Sequence, residues 1–179
     1  MKLGRFRRIA SAVALAVVAA SLAIVHARSA AAIEAKTVDA VVDRLSGHIG
    51  AVVPLATFQG GQQTTLADKF TIGFPVGIGI KIRPPLTFDM EFVPLISDSK
   101  TNLVVHPGLI YNFYGPWSAG LRFAVETNGD AWGFTPLLNR SLFAIADGVN
   151  VFAELDIPIH AVKNADTAVS IATHFGVGF

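Results

Sequence analysis

The run Phe70-Thr71-Ile72-Gly73-Phe74-Pro75-Val76-Gly77-Ile78-Gly79-Ile80-Lys81-Ile82 decides the fold. Every even-numbered position is a large apolar residue, and every odd one is Thr, Gly, Pro or Lys. Side chains alternate with period two in a strand, whereas a helix would scatter these residues around its axis.

Working outward, the same alternation recurs in Leu86 to Phe92, Leu103 to Phe113, Ala119 to Val125, Trp132 to Leu138, Val149 to Ile159 and Val169 to Phe179. A weaker run, Ile49 to Thr57, precedes them and brings the total to eight. The connections also alternate. Phe58–Lys69, Ile96–Asn102, Asn128–Asp130 and His160–Asp166 are the longer ones; Arg83–Pro85, Tyr114–Pro116 and Asp147–Gly148 are tight and carry turn residues. Strand, short turn, strand, longer loop is the order of an up-and-down meander. Two features resist it. The alternation lapses between Asn139 and Ala146, so the pattern does not set the end of the sixth strand, and a bulge fits there. Pro75, Pro94, Pro107, Pro136 and Pro158 fall inside runs; proline lacks the ladder donor, which predicts local bulges and argues against full closure.

Alternation alone does not say which face is outside. The composition is 52% hydrophobic and 15% charged, with 16 glycines. The less apolar face is rich in glycine and poor in charge, unlike a water-facing surface. A narrow eight-stranded interior instead needs small residues beside a few large polar ones. Eleven residues at about 3.3 Å each, tilted by about 40°, rise roughly 28 Å, near the apolar band of a membrane barrel. Tyr111, Phe113, Tyr114 and Trp117 around one short turn, and Trp132 after a longer loop, suit the two interfacial girdles. Ordinary packing would place aromatics there as well.

The N-terminus reads as an export signal. Lys2, Arg5, Arg7 and Arg8 precede the uncharged run Ile9–Val25, and small residues end at Ala32. A retained membrane anchor is the alternative. Removing residues 1–32 takes five of 14 basic and none of 13 acidic residues, leaving nine against thirteen, a net charge of −4. No basic patch for nucleic acid is left. Residues 33–46 form a separate leader: Val38, Val41, Val42 and Leu45 fall at helical spacing between Thr37 and Gly47, which predicts a short amphipathic helix. Residues 47–179 are the barrel.

On the signal peptide, the eight alternating strands and the terminal Phe179, the chain resembles the small bacterial outer-membrane barrels of the outer-membrane protein A or W type, over residues 47–179. The resemblance implies a location in the cell outer membrane, lipid as surroundings, and Phe179 as the signal read by the barrel-assembly machinery. Val177 and His174 depart from the family pattern, which more often has an aromatic and a glycine there.

The inward face carries Lys81, Asp89, Glu91, His106, Arg122, Glu126, Glu154, Asp156 and His174. Carboxylates enclosed in a barrel need cations or water, and Arg122 is the natural hub, since guanidinium binds carboxylates bidentately. The set reads either as an ion-pair network that plugs the lumen or as the lining of a narrow polar pore. The histidines match no metal-ligand spacing. Some lipid A acyltransferases and deacylases are barrels of this size, but no motif joins Ser141, Ser170 and His174 into a nucleophile system. A soluble lipid carrier would need the Phe70–Ile82 face to line a cavity, which the glycine-rich opposite face opposes. The sequence therefore predicts an all-β, eight-stranded antiparallel transmembrane β-barrel with no catalytic, cofactor or metal residues. Its role is structural or the narrow passage of small solutes, the alternatives being lateral transport or binding of an apolar molecule and lipid A modification.

Overall fold

The computed structural model describes residues 42–98 and 100–179. The expected signal peptide and most of the expected leader helix lie outside these residues. After one 3-10 turn, Val42–Arg44, the chain is all-β. The strands are β1 (Leu45–Gln59), β2 (Gln62–Thr65), β3 (Thr71–Gly73), β4 (Val76–Arg83), β5 (Leu86–Ser97), β6 (Thr101–Tyr114), β7 (Trp117–Glu126), β8 (Ala131–Ala146), β9 (Val149–Asp156), β10 (Ile159–Val162) and β11 (Ala168–Gly178). Strand β1 begins at Leu45, inside the segment expected as a leader.

All pairings are antiparallel: β1 pairs with β3 and β4, these with β5, then β5 with β6, β6 with β7, β7 with β8, β8 with β9 and β10, and these with β11, while β1 pairs with β11 from His48↔Gly178 to Phe58↔Val169. That last ladder closes the sheet into a ring of eight, with β3 and β4 forming one wall strand and β9 and β10 another. The seam ends where Gly47 and Phe179 exchange both backbone hydrogen bonds, at 2.7 and 2.9 Å. Strand β2 folds back on the end of β1 through Gly60-Gly61, so part of the first expected loop is a hairpin. Likewise His160, expected in a loop, lies in β10.

The prolines are handled otherwise than the sequence suggested. The ring closes fully, and the register on either side of Pro75, Pro94, Pro136 and Pro158 does not shift. Strand assignment breaks at Phe74-Pro75 and Ile157-Pro158 only. Each of these four prolines keeps the ladder bond in which its carbonyl accepts: Gly50 N–H donates to Pro75, Phe74 to Pro94, Ile157 to Pro136 and Ser170 to Pro158, at 2.8–3.0 Å. The reciprocal bond, which would need the proline N–H, does not form. One bond of two suffices to hold register where both neighbours are long.

The bulges lie elsewhere. One between Pro54 and Ala56 puts Leu55 outside and turns Thr57 inward to bond Ser170 across the seam at 2.8 Å. This explains the weak alternation of the first run. Two more in β8, between Ser141 and Phe143 and between Ala144 and Ala146, account for the lapse after Asn139.

Burial is inverted relative to a water-soluble domain. Ile78, Phe175 and Ile145 on the exterior are 54–58% exposed, while Arg122, Glu91, Glu154 and His174 are at most 4% exposed. A small apolar cluster of Val93, Val104 and Ala124 sits inside the barrel.

Candidate functional site

Arg122 projects inward from β7, with Gly108 of β6 directly opposite. Gly108 makes room for it: a Cβ there would meet the Arg122 Cγ at 2.7 Å. The guanidinium then reaches two strands, β5 and β9. Its Nε donates to Asp89 Oδ2 at 2.8 Å and its Nη1 to Glu154 Oε1 at 2.6 Å. Its Nη2 lies 3.5 Å from Glu91 Oε2, and Asp156 Oδ1 is 4.0 Å from Nη1. Both pairs expected on one face, Asp89 with Glu91 and Glu154 with Asp156, thus converge on the expected hub.

Four carboxylates exceed one guanidinium, and the remainder of the coordination comes from imidazoles. His106 Nδ1 donates to Glu91 Oε1 at 2.9 Å. His48 Nε2 meets Glu91 Oε2 at 3.0 Å, and His174 Nδ1 meets Glu154 Oε1 at 3.2 Å. Asn139 Nδ2 donates to Glu154 Oε2 at 3.1 Å. Taking an ion out of water costs several kcal/mol, so such a cluster persists only with charge pairing and hydrogen bonds together. On the short-turn side Phe152 seals it, its ring edge-on to His174 at 4.9 Å and to His48 at 6.0 Å. The lumen is therefore blocked by a salt-bridged layer.

On the longer-loop side of this plug lies a cavity of about 370 Å³. Its wall carries an apolar patch, Val52, Pro54, Val93, Leu95, Val104 and Ala172, beside polar residues that include Thr57, Lys69, Lys100 and Ser170. Its floor is the plug, presenting Glu91, Arg122, Asp156 and His174, with His106, Thr135 and His160 beside them. At the mouth, Asn102 donates to Glu126 at 3.1 Å and Lys100 pairs with Asp130 at 3.5 Å. His48, Asn139 and Phe152, on the far side of the plug, take no part in the lining.

Among the nine residues expected inside, Asp89, Glu91, Arg122, Glu154, Asp156 and His174 form the buried layer, His106 caps it, and Glu126 stands half-buried at the mouth. Lys81 is the exception: it is exposed near the short-turn end, one residue past the last pairing of β4 with β1, and is outside the cluster. The sequence reading missed His48, because the first run was started one residue later, and His160, because it was placed in a loop. Thr135 and Asn139 were on the right face but carry no charge to draw attention. Ligand-type atoms of Glu154, Asp156 and His174 lie within 4.8 Å of one another. The Arg122 guanidinium sits on the same Glu154 oxygen as His174, so a metal there would face a fixed cation.

No family model matches the chain, and no curated protein does either, so neither supports an assignment to the outer-membrane protein A or W families. Among solved structures the chain is similar to one described as "De novo design of transmembrane beta-barrels", at 15% identity and a TM-score of 0.35, over 73% of this chain and 94% of that one.

Proposed function

We propose that this chain is an integral β-barrel of a bacterial outer membrane, exported behind a cleaved N-terminal signal, non-enzymatic, and structural in role because its lumen is held shut. Passage of small solutes would require the Arg122 layer to open. The observation that carries the reading is the inversion of burial: the exterior is a belt of Ile, Val, Leu and Phe, and the charges are inside. A ring sheet has no free edge, and a backbone in lipid must satisfy its polar groups internally. Its partners are outer-membrane lipid and, through Phe179, the barrel-assembly machinery.

The test is the depth of the exterior. Ile78 lies mid-strand in β4 and is 54% exposed. Ile78→Lys is expected to destabilise the barrel in phospholipid vesicles by about 2–4 kcal/mol, as lysine does at a bilayer midplane. Unfolding in urea with vesicles reads this out. A cost near zero, or full solubility of the native chain without detergent, would overturn the membrane reading.

A further inference from the structure

Five buried polar atoms have no hydrogen-bond partner among the described residues: His106 Nε2, Thr135 Oγ1, Asp156 Oδ1, His160 Nε2 and His174 Nε2. All five belong to residues that line the same cavity. One of them, His174 Nε2, faces the Cα of Gly50 on the wall. The other four belong to the floor. Buried polar atoms are nearly always satisfied, so a set gathered on one floor points to what the cavity receives.

The ladder explains how they meet. Gly133 pairs with both Ala124 and His160, and His106 lies beside Ala124 in the register set by Val105↔Val125. Two small residues thus separate two imidazoles across the floor. Thr135 pairs with Arg122 one step below. Two of the four are acceptors. Asp156 Oδ1 is an acceptor. His106 donates through Nδ1 to Glu91, so its Nε2 in the neutral ring is an acceptor too. Thr135 and His160 serve either way. On the floor an anion would face Glu91 and Asp156, and the guanidinium there is already held by Asp89, Glu91 and Glu154; the other cations that line the cavity are Lys69 and Lys100, the second of them paired with Asp130.

We propose that this cup is a binding site for a small amphipathic amine, its ammonium head on Asp156, His106 and Thr135 and its apolar body against Val52, Val93 and Val104. The mouth opens at the longer-loop end, so the ligand enters from that side and does not cross the plug. Apolar walls with a few convergent polar groups are the usual make-up of a small-molecule site.

The experiment uses the full chain purified from membranes in detergent, with valine methyls followed by NMR during titration with phenethylamine, and with ethylbenzene and 3-phenylpropionate as controls. The expected result is saturable shifts at Val52, Val93 and Val104 but not at the exterior Val76 and Val125, for the amine alone. Thr135→Val, which keeps volume, is expected to weaken binding at least tenfold. Val93→Phe, which fills the cup and leaves the plug intact, is expected to abolish it. Equal shifts with ethylbenzene or 3-phenylpropionate would overturn the amine assignment. No saturable shift at the interior valines would overturn the site, with the membrane reading judged separately by the Ile78→Lys test.

Discussion

Replacing Arg122 by methionine removes the hub of the plug while keeping most of its length. Two short charge-assisted hydrogen bonds are lost, to Asp89 at 2.8 Å and to Glu154 at 2.6 Å. Each such bond is worth about 1.5–3 kcal/mol, and stripping one partner from a buried ion pair costs about 3–5 kcal/mol. The two routes agree on about 4 kcal/mol. With a urea slope of about 2 kcal/mol/M, the unfolding midpoint should fall by roughly 2 M. The assay is equilibrium unfolding in lipid vesicles followed by tryptophan fluorescence, since Trp132 lies exposed on the exterior and reports departure from the bilayer. A double variant with Glu154→Gln should lose less than the sum of the two singles, because neutralising Glu154 removes one of the carboxylates that Arg122 leaves behind. A midpoint shift of Arg122→Met below about 0.3 M, or strict additivity in the cycle, would refute the claim that the plug is held by this network.

Two further outcomes are expected. A Cβ at Gly77 would run into the His48 ring, so Gly77→Val should cost about 1–3 kcal/mol by overpacking; His48→Ala in the same chain should recover most of it, and equal losses in both backgrounds would show that the ring is not what Gly77 accommodates. In the turn after β2, Asp68 accepts from the Thr65 hydroxyl at 2.7 Å and from its backbone N–H at 2.8 Å, and these bonds hold its carboxyl below the usual carboxylate range. Because the folded value is depressed, this turn contributes its stability above the ordinary aspartate range and loses it as pH falls through the folded value. Carboxyl-carbon NMR titration should show the Asp68 value rising in Thr65→Ala, and no rise would remove the hydroxyl as the cause.

The sequence carried the wall of this protein more fully than its interior. Alternation through Phe70–Ile82 assigns faces because a strand's period is fixed, and each of the six later runs lies in a ladder. What escaped was whatever breaks period two locally. The bulge at Pro54/Ala56 reverses the face of Thr57; Pro54 stands at it, but four prolines inside the later runs cause no shift, so proline alone does not tell which site bulges. The prolines misled for a related reason. Proline removes a donor but not an acceptor, and the sequence does not say that a neighbouring N–H will be aimed at each proline carbonyl. For the interior, same-face carboxylate pairs and a lone arginine were enough to expect the Arg122 hub. The cup was not legible, because its floor joins His106, Thr135, Asp156 and His160 from separate stretches of chain, and only the register between strands brings them together.

The Gly47–Phe179 closure sets an order of events. The seam joins the first wall strand to the last, so β1 has no permanent neighbour on that side until β11 has arrived. Until then every earlier hairpin belongs to a curved sheet with two open edges, and open edges recruit other chains. Pairing so distant in sequence is slow to find, because loop closure must precede the contacts that reward it. The vulnerable species is thus the nearly complete chain rather than the nascent one. A variant that loses Phe179 should fail by association between chains before it fails by unfolding.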